Sequence, residues 1–270
     1  MKSPKECSLE RKIIRFLKKL PVAEALAGRL FADPELQAQQ EYANTVSIRR
    51  LGFNDHGPVH MRKVAFNALQ MLSLLHDAGI PTSLEQDEAG SYEDSACAVL
   101  LAAMLHDIGM SIGRHDHEHL SCLLGAPFID RSLADVLPGD ETLARRVAIR
   151  SIALEGIVGH MTTIRIHSLE AGIILVGDGC DMEKGRARIT MAVSSGSHMG
   201  DIHMHSANSI QRVSIGPGEK LPIRIDVEMD EVAGLFQVEE ILMRKIDISP
   251  AKPYIELTAG LPGQPRSHYL

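Results

Sequence analysis

Residues 96–107 read Ala-Cys-Ala-Val-Leu-Leu-Ala-Ala-Met-Leu-His-Asp, ten apolar side chains followed by an imidazole and a carboxylate. Ala96, Leu100, Ala103 and Asp107 fall on one face at helical spacing, and Gly109 is a plausible C-terminal stop. A helix that is apolar all round belongs at the centre of a fold. Asp107 therefore ends the most apolar helix of the chain, although aspartate is almost never buried without a partner. Either a cation lies close to it or a neighbouring helix N-terminus donates hydrogen bonds to it.

Working outward, the periodicity stays helical to about Met191. Leu9, Ile13, Phe16 and Leu20 mark an amphipathic helix that stops before Pro21. A second helix begins near Pro58 and ends at Gly79, with His60, Val64, Ala68, Met71 and Leu75 on its inward stripe. Residues 86–95 are acidic and polar, a loop or a helix cap. Another helix is expected from Thr142 to Val158. The next follows the N-cap Ser168 and carries Ile174, Asp178 and Asp181 along one stripe.

After about Gly196 the rhythm changes. Ile210–Ile215 and Ile223–Val227 alternate around a Gly216-Pro217-Gly218 turn, which predicts a hairpin. Val232–Met243 reads as a helix and Tyr254–Leu257 as a returning strand. The fold class is mainly α: a helical domain over residues 1–195, then a small α+β module over residues 196–270. That module either shapes a pocket or builds a homo-oligomer by sheet pairing.

The chain has 270 residues, 44% hydrophobic and 23% charged, as in an ordinary globular protein. Aromatics are scarce at 4% and there is no tryptophan, so the core is left to aliphatic residues, alanine and methionine. A net charge of −7 argues against a nucleic-acid polymer as partner. Cys7, Cys97, Cys122 and Cys180 show no paired spacing, no apolar run reaches membrane-spanning length, and no leader peptide is recognisable. A cytoplasmic protein without a membrane partner is expected. The tag-like Gly196-Ser197-His198-Met199 is taken as native sequence.

Several ionisable residues share Asp107's anomaly. His60 lies on an inward stripe, Asp178 interrupts the apolar run Ile173-Ile174-Leu175-Val176, and His106, His117 and His160 also lie where a helix should face inward. A lone inward histidine is more often a satisfied core residue than a ligand. Burying the whole set without a cation would cost too much free energy. One or two divalent ions would satisfy it, and mixed imidazole and carboxylate donors suit Mn, Fe, Zn, Ni or Co better than Ca.

The order His60 with Val64-Ala65, Leu105-His106-Asp107-Ile108-Gly109, His117-Glu118 with Ser121, Gly159-His160, and Gly177-Asp178-Gly179 with Asp181 resembles the HD-domain phosphohydrolase superfamily over roughly residues 45–190. The resemblance implies an HD-type helical bundle in which His60, His106, Asp107 and Asp178 hold one metal. His117 and His160 are similar to the extra histidines of dinuclear members, where the Asp of the pair bridges both ions. His117 is preferred to His115 and His119 because its spacing to Ser121 fits the family. His167 is either a further ligand or a surface residue, and His198, His203 and His205 around Asp201 form a second cluster or a polar loop. Met110 replaces a lysine common in cyclic-dinucleotide-degrading members, and no Gly-Tyr-Pro motif follows, so that activity is not expected.

The implied activity is a metal-dependent phosphohydrolase, with Asp107 at the reacting centre. A metal-bound water attacks phosphorus in a nucleotide-like monoester or cyclic phosphodiester. Arg62, Lys63, Arg114, Arg165 and Arg186 are candidates to cradle the small phosphorylated substrate, Arg186 foremost. The competing classes are a non-catalytic metal- or nucleotide-binding sensor and a dinuclear-metal oxygenase on the same scaffold.

Overall fold

The computed structural model describes residues 2–184, 206 and 208–270. The apolar segment forms helix α6 (Tyr92–Leu105), started by a capping box between Ser91 and Asp94 and buried at every position from Asp94 onward. Around it pack α4 (Pro58–Asp77), α8 (Leu143–Gly159), α9 (Leu169–Gly179) and α2 (Pro21–Ala32). Its central, fully enclosed position is the one that its composition demands.

The N-terminal region differs from the expectation. Helix α1 (Pro4–Leu17) is followed by α2 and by α3 (Pro34–Thr45), so two unexpected helices lie between α1 and the one at Pro58. Helix α1 does stop before Pro21, but Pro21 and Pro34 each begin a further helix, because proline at the first helical position loses no intrahelical bond. Helix α7 (His117–Val136) also has no counterpart among the expected helices. Its polar first turn and the internal Pro127 obscure the periodicity. Between α4 and α6 lies the short α5 (Ser83–Gln86). Ser168 caps α9 as read, its hydroxyl accepting from the Ala171 backbone N–H at 3.1 Å. Helix α8 keeps to within one residue of its expected bounds.

The C-terminal part is a four-stranded sheet in the order β1-β2-β3-β4. Strands β1 (Ile210–Pro217) and β2 (Ile223–Met229) form the expected antiparallel pair, Ser214 opposite Asp226. Pro217 belongs to β1, so the turn lies beyond it. Strand β3 (Ile255–Gly260) runs parallel to β2, and β4 (Ser267–His268) closes the edge. The crossover from β2 to β3 is helical. It passes through a 3₁₀ turn (Val232–Gly234), a π-helical segment (Gln237–Leu242) and α10 (Met243–Ile248), five residues past the expected end at Met243. One apolar core runs without interruption from the α6 region to this sheet. Among the described residues no helix is long and apolar enough to cross a membrane.

Candidate metal centre

Helix α6 ends at Leu105, His106 is its C-cap, and Asp107 leads into a 3₁₀ turn (Ile108–Ser111). The first turn of α7 lies directly against that turn. The Gly109 N–H donates to Ser121 Oγ at 2.8 Å, and a Cβ on Gly109 would overlap the His117 carbonyl oxygen. The absence of a side chain at 109 is what allows His117 to face Asp107. His60 sits in the first turn of α4, and Asp178 in the last turn of α9. Those two helices touch near Gly177 and Ala68, where Asn67 Nδ2 donates to the Gly177 carbonyl at 3.1 Å. His160 follows the end of α8.

All six expected ligands meet. Asp107 Oδ2 lies 3.2 Å from His60 Nε2 and 3.3 Å from His106 Nε2, while Oδ1 lies 3.2 Å from His117 Nε2 and 3.4 Å from His160 Nε2. Asp178 Oδ1 is 3.2 Å from His60 Nε2. The four imidazoles and Asp107 are at most 2% exposed. Two ligand groups result, His60-His106-Asp107 and Asp107-His117-His160, with Asp107 common to both.

The other ring nitrogens fix the tautomers. Nδ1 of His106, His117 and His160 bonds to the carbonyl oxygen three residues upstream: Ala103 at 2.9 Å, Arg114 at 3.0 Å and Ile157 at 2.6 Å. A carbonyl can only accept, so each Nδ1 carries a proton, and in the neutral tautomer the Nε2 lone pair faces inward. His60 Nδ1 meets Asp181 Oδ2 at 2.7 Å, with the same result. Inward-facing Nε2 atoms then approach in pairs, His60 to His106 at 3.1 Å and His117 to His160 at 3.1 Å. Two lone pairs at that distance repel unless a cation lies between or beside them. The donor set thus fits divalent metal, and its oriented outer partners are those of a ligand shell.

The electrostatics agree. Burial alone would raise the Asp107 pKa, but His106, His56 and His117 hold it well below the usual carboxylate range. Asp178 is likewise held low against burial, first by Lys245 and then by His60. Burial pushes His160 down to about 4, leaving it neutral and able to ligate. Backbone strain flanks the second group: Asp116 and Thr162 adopt left-handed φ of 52° and 66°, the latter unusual because threonine is β-branched. Thr163 Oγ1 donates to Glu118 Oε1 at 3.0 Å, joining the segment after His160 to the start of α7.

The cationic candidates separate clearly. Arg62 is 1% exposed and points away from the centre into Glu10 (2.8 Å), Gln37 (3.0 Å), Gln40 (3.0 Å) and the Pro58 carbonyl (3.1 Å), so it is no phosphate cradle. Lys63 lies 3.7 Å from Glu183. Arg165 and His167 are exposed, and the His167 backbone N–H donates to Glu155. Arg114 does border the centre. Its Nη1 is 3.5 Å from His117 Nε2 and its guanidinium lies over Phe53, 5.5 Å from the ring centroid, with no carboxylate at ion-pair distance among the described residues. Arg186, the cluster His198, His203 and His205 with Asp201, the stretch from Gly196 to Met199 and the expected boundary at 195/196 lie outside the described residues.

Asp181 stands on the inward stripe of Asp178 in the sequence, where no role of its own is assigned to it. Lys245 of α10 escapes sequence reasoning altogether. Its ammonium pairs with Asp178 Oδ2 and donates to the His160 carbonyl at 2.9 Å, yet in sequence it is one more charge on a short helix.

Comparison with known proteins finds a relative in the uncharacterized protein MJ1020 of Methanocaldococcus jannaschii, 36% identical over 238 residues, covering 88% of this chain and 89% of that protein. No family model matches the chain, and no solved structure does.

Proposed function

The chain belongs to the family of MJ1020, and we propose that it is a metal-dependent phosphohydrolase of the HD-domain type, acting on a nucleotide-like phosphate monoester or a cyclic phosphodiester. The observation that carries this reading is the convergence of four inward Nε2 atoms on the two oxygens of one buried carboxylate. His60, His106, Asp107 Oδ2 and Asp178 Oδ1 would hold one ion; His117, His160 and Asp107 Oδ1 would hold the other. Imidazole and carboxylate together favour Mn, Fe, Zn, Ni or Co. Bound there, such ions supply Lewis-acid activation of water and neutralise charge on phosphoryl oxygens.

The chain itself supplies orientation and charge. Asp107 couples the two halves through its separate oxygens. Asp181 and the three upstream carbonyls hold the rings in the tautomer that ligates. Of the cations named from the sequence, Arg114 is the one that borders the centre among the described residues. It is a cation beside the second ligand group whose contacts there are an imidazole, thioethers and an aromatic face, none able to neutralise it. Its planar fork suits two phosphoryl oxygens at once.

The test is release of inorganic phosphate from nucleotides, p-nitrophenyl phosphate and cyclic phosphates, with each metal added in turn. Metal-dependent release that disappears in Asp107→Ala supports the reading. A protein that binds two ions yet hydrolyses none of these esters overturns it.

A further inference from the structure

We propose that Lys245, brought to the centre by the C-terminal module, is a substrate-binding cation that donates its unused ammonium proton to a phosphoryl oxygen. This rests on the phosphohydrolase reading and assigns to that site a contact from outside the helical ligand set. Lys245 lies on α10, in the crossover between β2 and β3. Its aliphatic chain packs over Gly179 at the end of α9, where a Cβ would stand 3.0 Å from Lys245 Cδ. The glycine leaves the channel through which the ammonium reaches Asp178.

The side chain is 11% exposed. A lysine ammonium has three protons. One is given to Asp178 Oδ2 and one to the His160 carbonyl, and among the described residues no acceptor takes the third. The partners matter as well, because Asp178 belongs to the first ligand group and His160 to the second. The ammonium therefore stands at the junction of the two groups.

Asp178 is also the sole carboxylate among the described residues that pairs with Lys245. Its other oxygen faces His60, in the position of a ligand. A carboxylate that shares its charge with a divalent ion neutralises an ammonium less completely. A buried cation left in that state is costly, and an arriving anion removes the cost. Ammonium protons form charge-assisted bonds to phosphoryl oxygens, the strongest class available here.

The test compares the manganese-loaded protein with its Lys245→Met and Lys245→Arg variants, reading metal content by elemental analysis and inorganic-phosphate affinity by calorimetry. The expected result is unchanged metal content in both, phosphate bound about 10- to 100-fold more weakly by Lys245→Met, and recovery of most of that loss in Lys245→Arg. Phosphate bound equally well by Lys245→Met and the unaltered protein overturns the proposal. Loss of metal from Lys245→Met overturns it too, assigning the lysine to the holding of Asp178 alone. Turnover of p-nitrophenyl phosphate is read separately on the unaltered protein. Tight, Lys245-dependent phosphate binding without turnover would sink the hydrolase and leave the anion contact standing.

Discussion

His60 and Asp181 meet at 2.7 Å, the Nδ1 proton of the imidazole directed at a carboxylate oxygen from beyond the end of α9. His60 is the one ring of the four whose Nδ1 is aimed by a side chain from a distant segment. Removing such a partner costs 10- to 100-fold in metal affinity in known sites, at little cost to the fold. Asp181→Ala is expected to weaken manganese binding by roughly that factor, measured by competition with a chelator. Equal affinity in the variant and the unaltered protein would sink the idea.

Because Asp107 turns one oxygen to each histidine pair, the ligand groups differ in what their loss removes. His117→Ala or His160→Ala is expected to hold one equivalent of metal where the unaltered protein holds two. Asp107→Ala should retain little of either. Elemental analysis after gel filtration decides this, and two full equivalents in His117→Ala would contradict the dinuclear arrangement.

Arg62 is a different kind of charge. Enclosed by Glu10, Gln37 and Gln40, it ties α4 to α1 and α3. Arg62→Met leaves buried acceptors without a donor and should cost about 3–5 kcal/mol in urea unfolding. Metal content of the folded fraction is expected to be unchanged. A variant of full stability that had lost its ions would show that Arg62 serves the centre after all.

Gly109→Ala places a methyl group against the His117 carbonyl and the Ser121 backbone nitrogen, neither of which can swing aside. The first turn of α7 must shift. The expected outcome is a loss of about 3 kcal/mol, with metal lost first from the group containing His117. Native stability in this variant would show that the contact between Asp107 and α7 is looser than the geometry requires.

Acid should weaken the metal-free protein. His160 is held at about 4 by burial, against 6.5 in the unfolded chain, so between those values only the unfolded state binds the proton. Stability is therefore complete above about pH 6.5 and falls as pH drops toward 4. Asp107 and Asp178, held low, extend the loss below that range, because the unfolded chain then takes up their protons. Urea midpoints at pH 7.5, 6 and 5 should decline in that order. A flat profile would mean that His160 is not buried as a neutral ring.

The central helix and its ligands could be read from the sequence because burial leaves an unambiguous signature. Ten consecutive apolar residues admit one kind of environment, and a carboxylate at their end is an anomaly that must be resolved. Asp178 announces itself in the same way. Helices α2 and α3 were hidden because proline means both stop and start, and local sequence does not separate the two. Lys245 was hidden for another reason. Its importance comes from the crossover between β2 and β3, which carries α10 onto α9, and no pattern near Lys245 records that contact.

Three of the four imidazoles are aimed by the carbonyl three residues before them, a bond closed within a single turn of chain. Such rings inherit their bearing from local backbone, so stripping the ions with a chelator should leave His106, His117 and His160 as a waiting cup. Reloading should then proceed at the pace of ion dehydration, without refolding. His60, steered by a carboxylate from a distant segment, is the hinge on which recapture of the remaining ion turns.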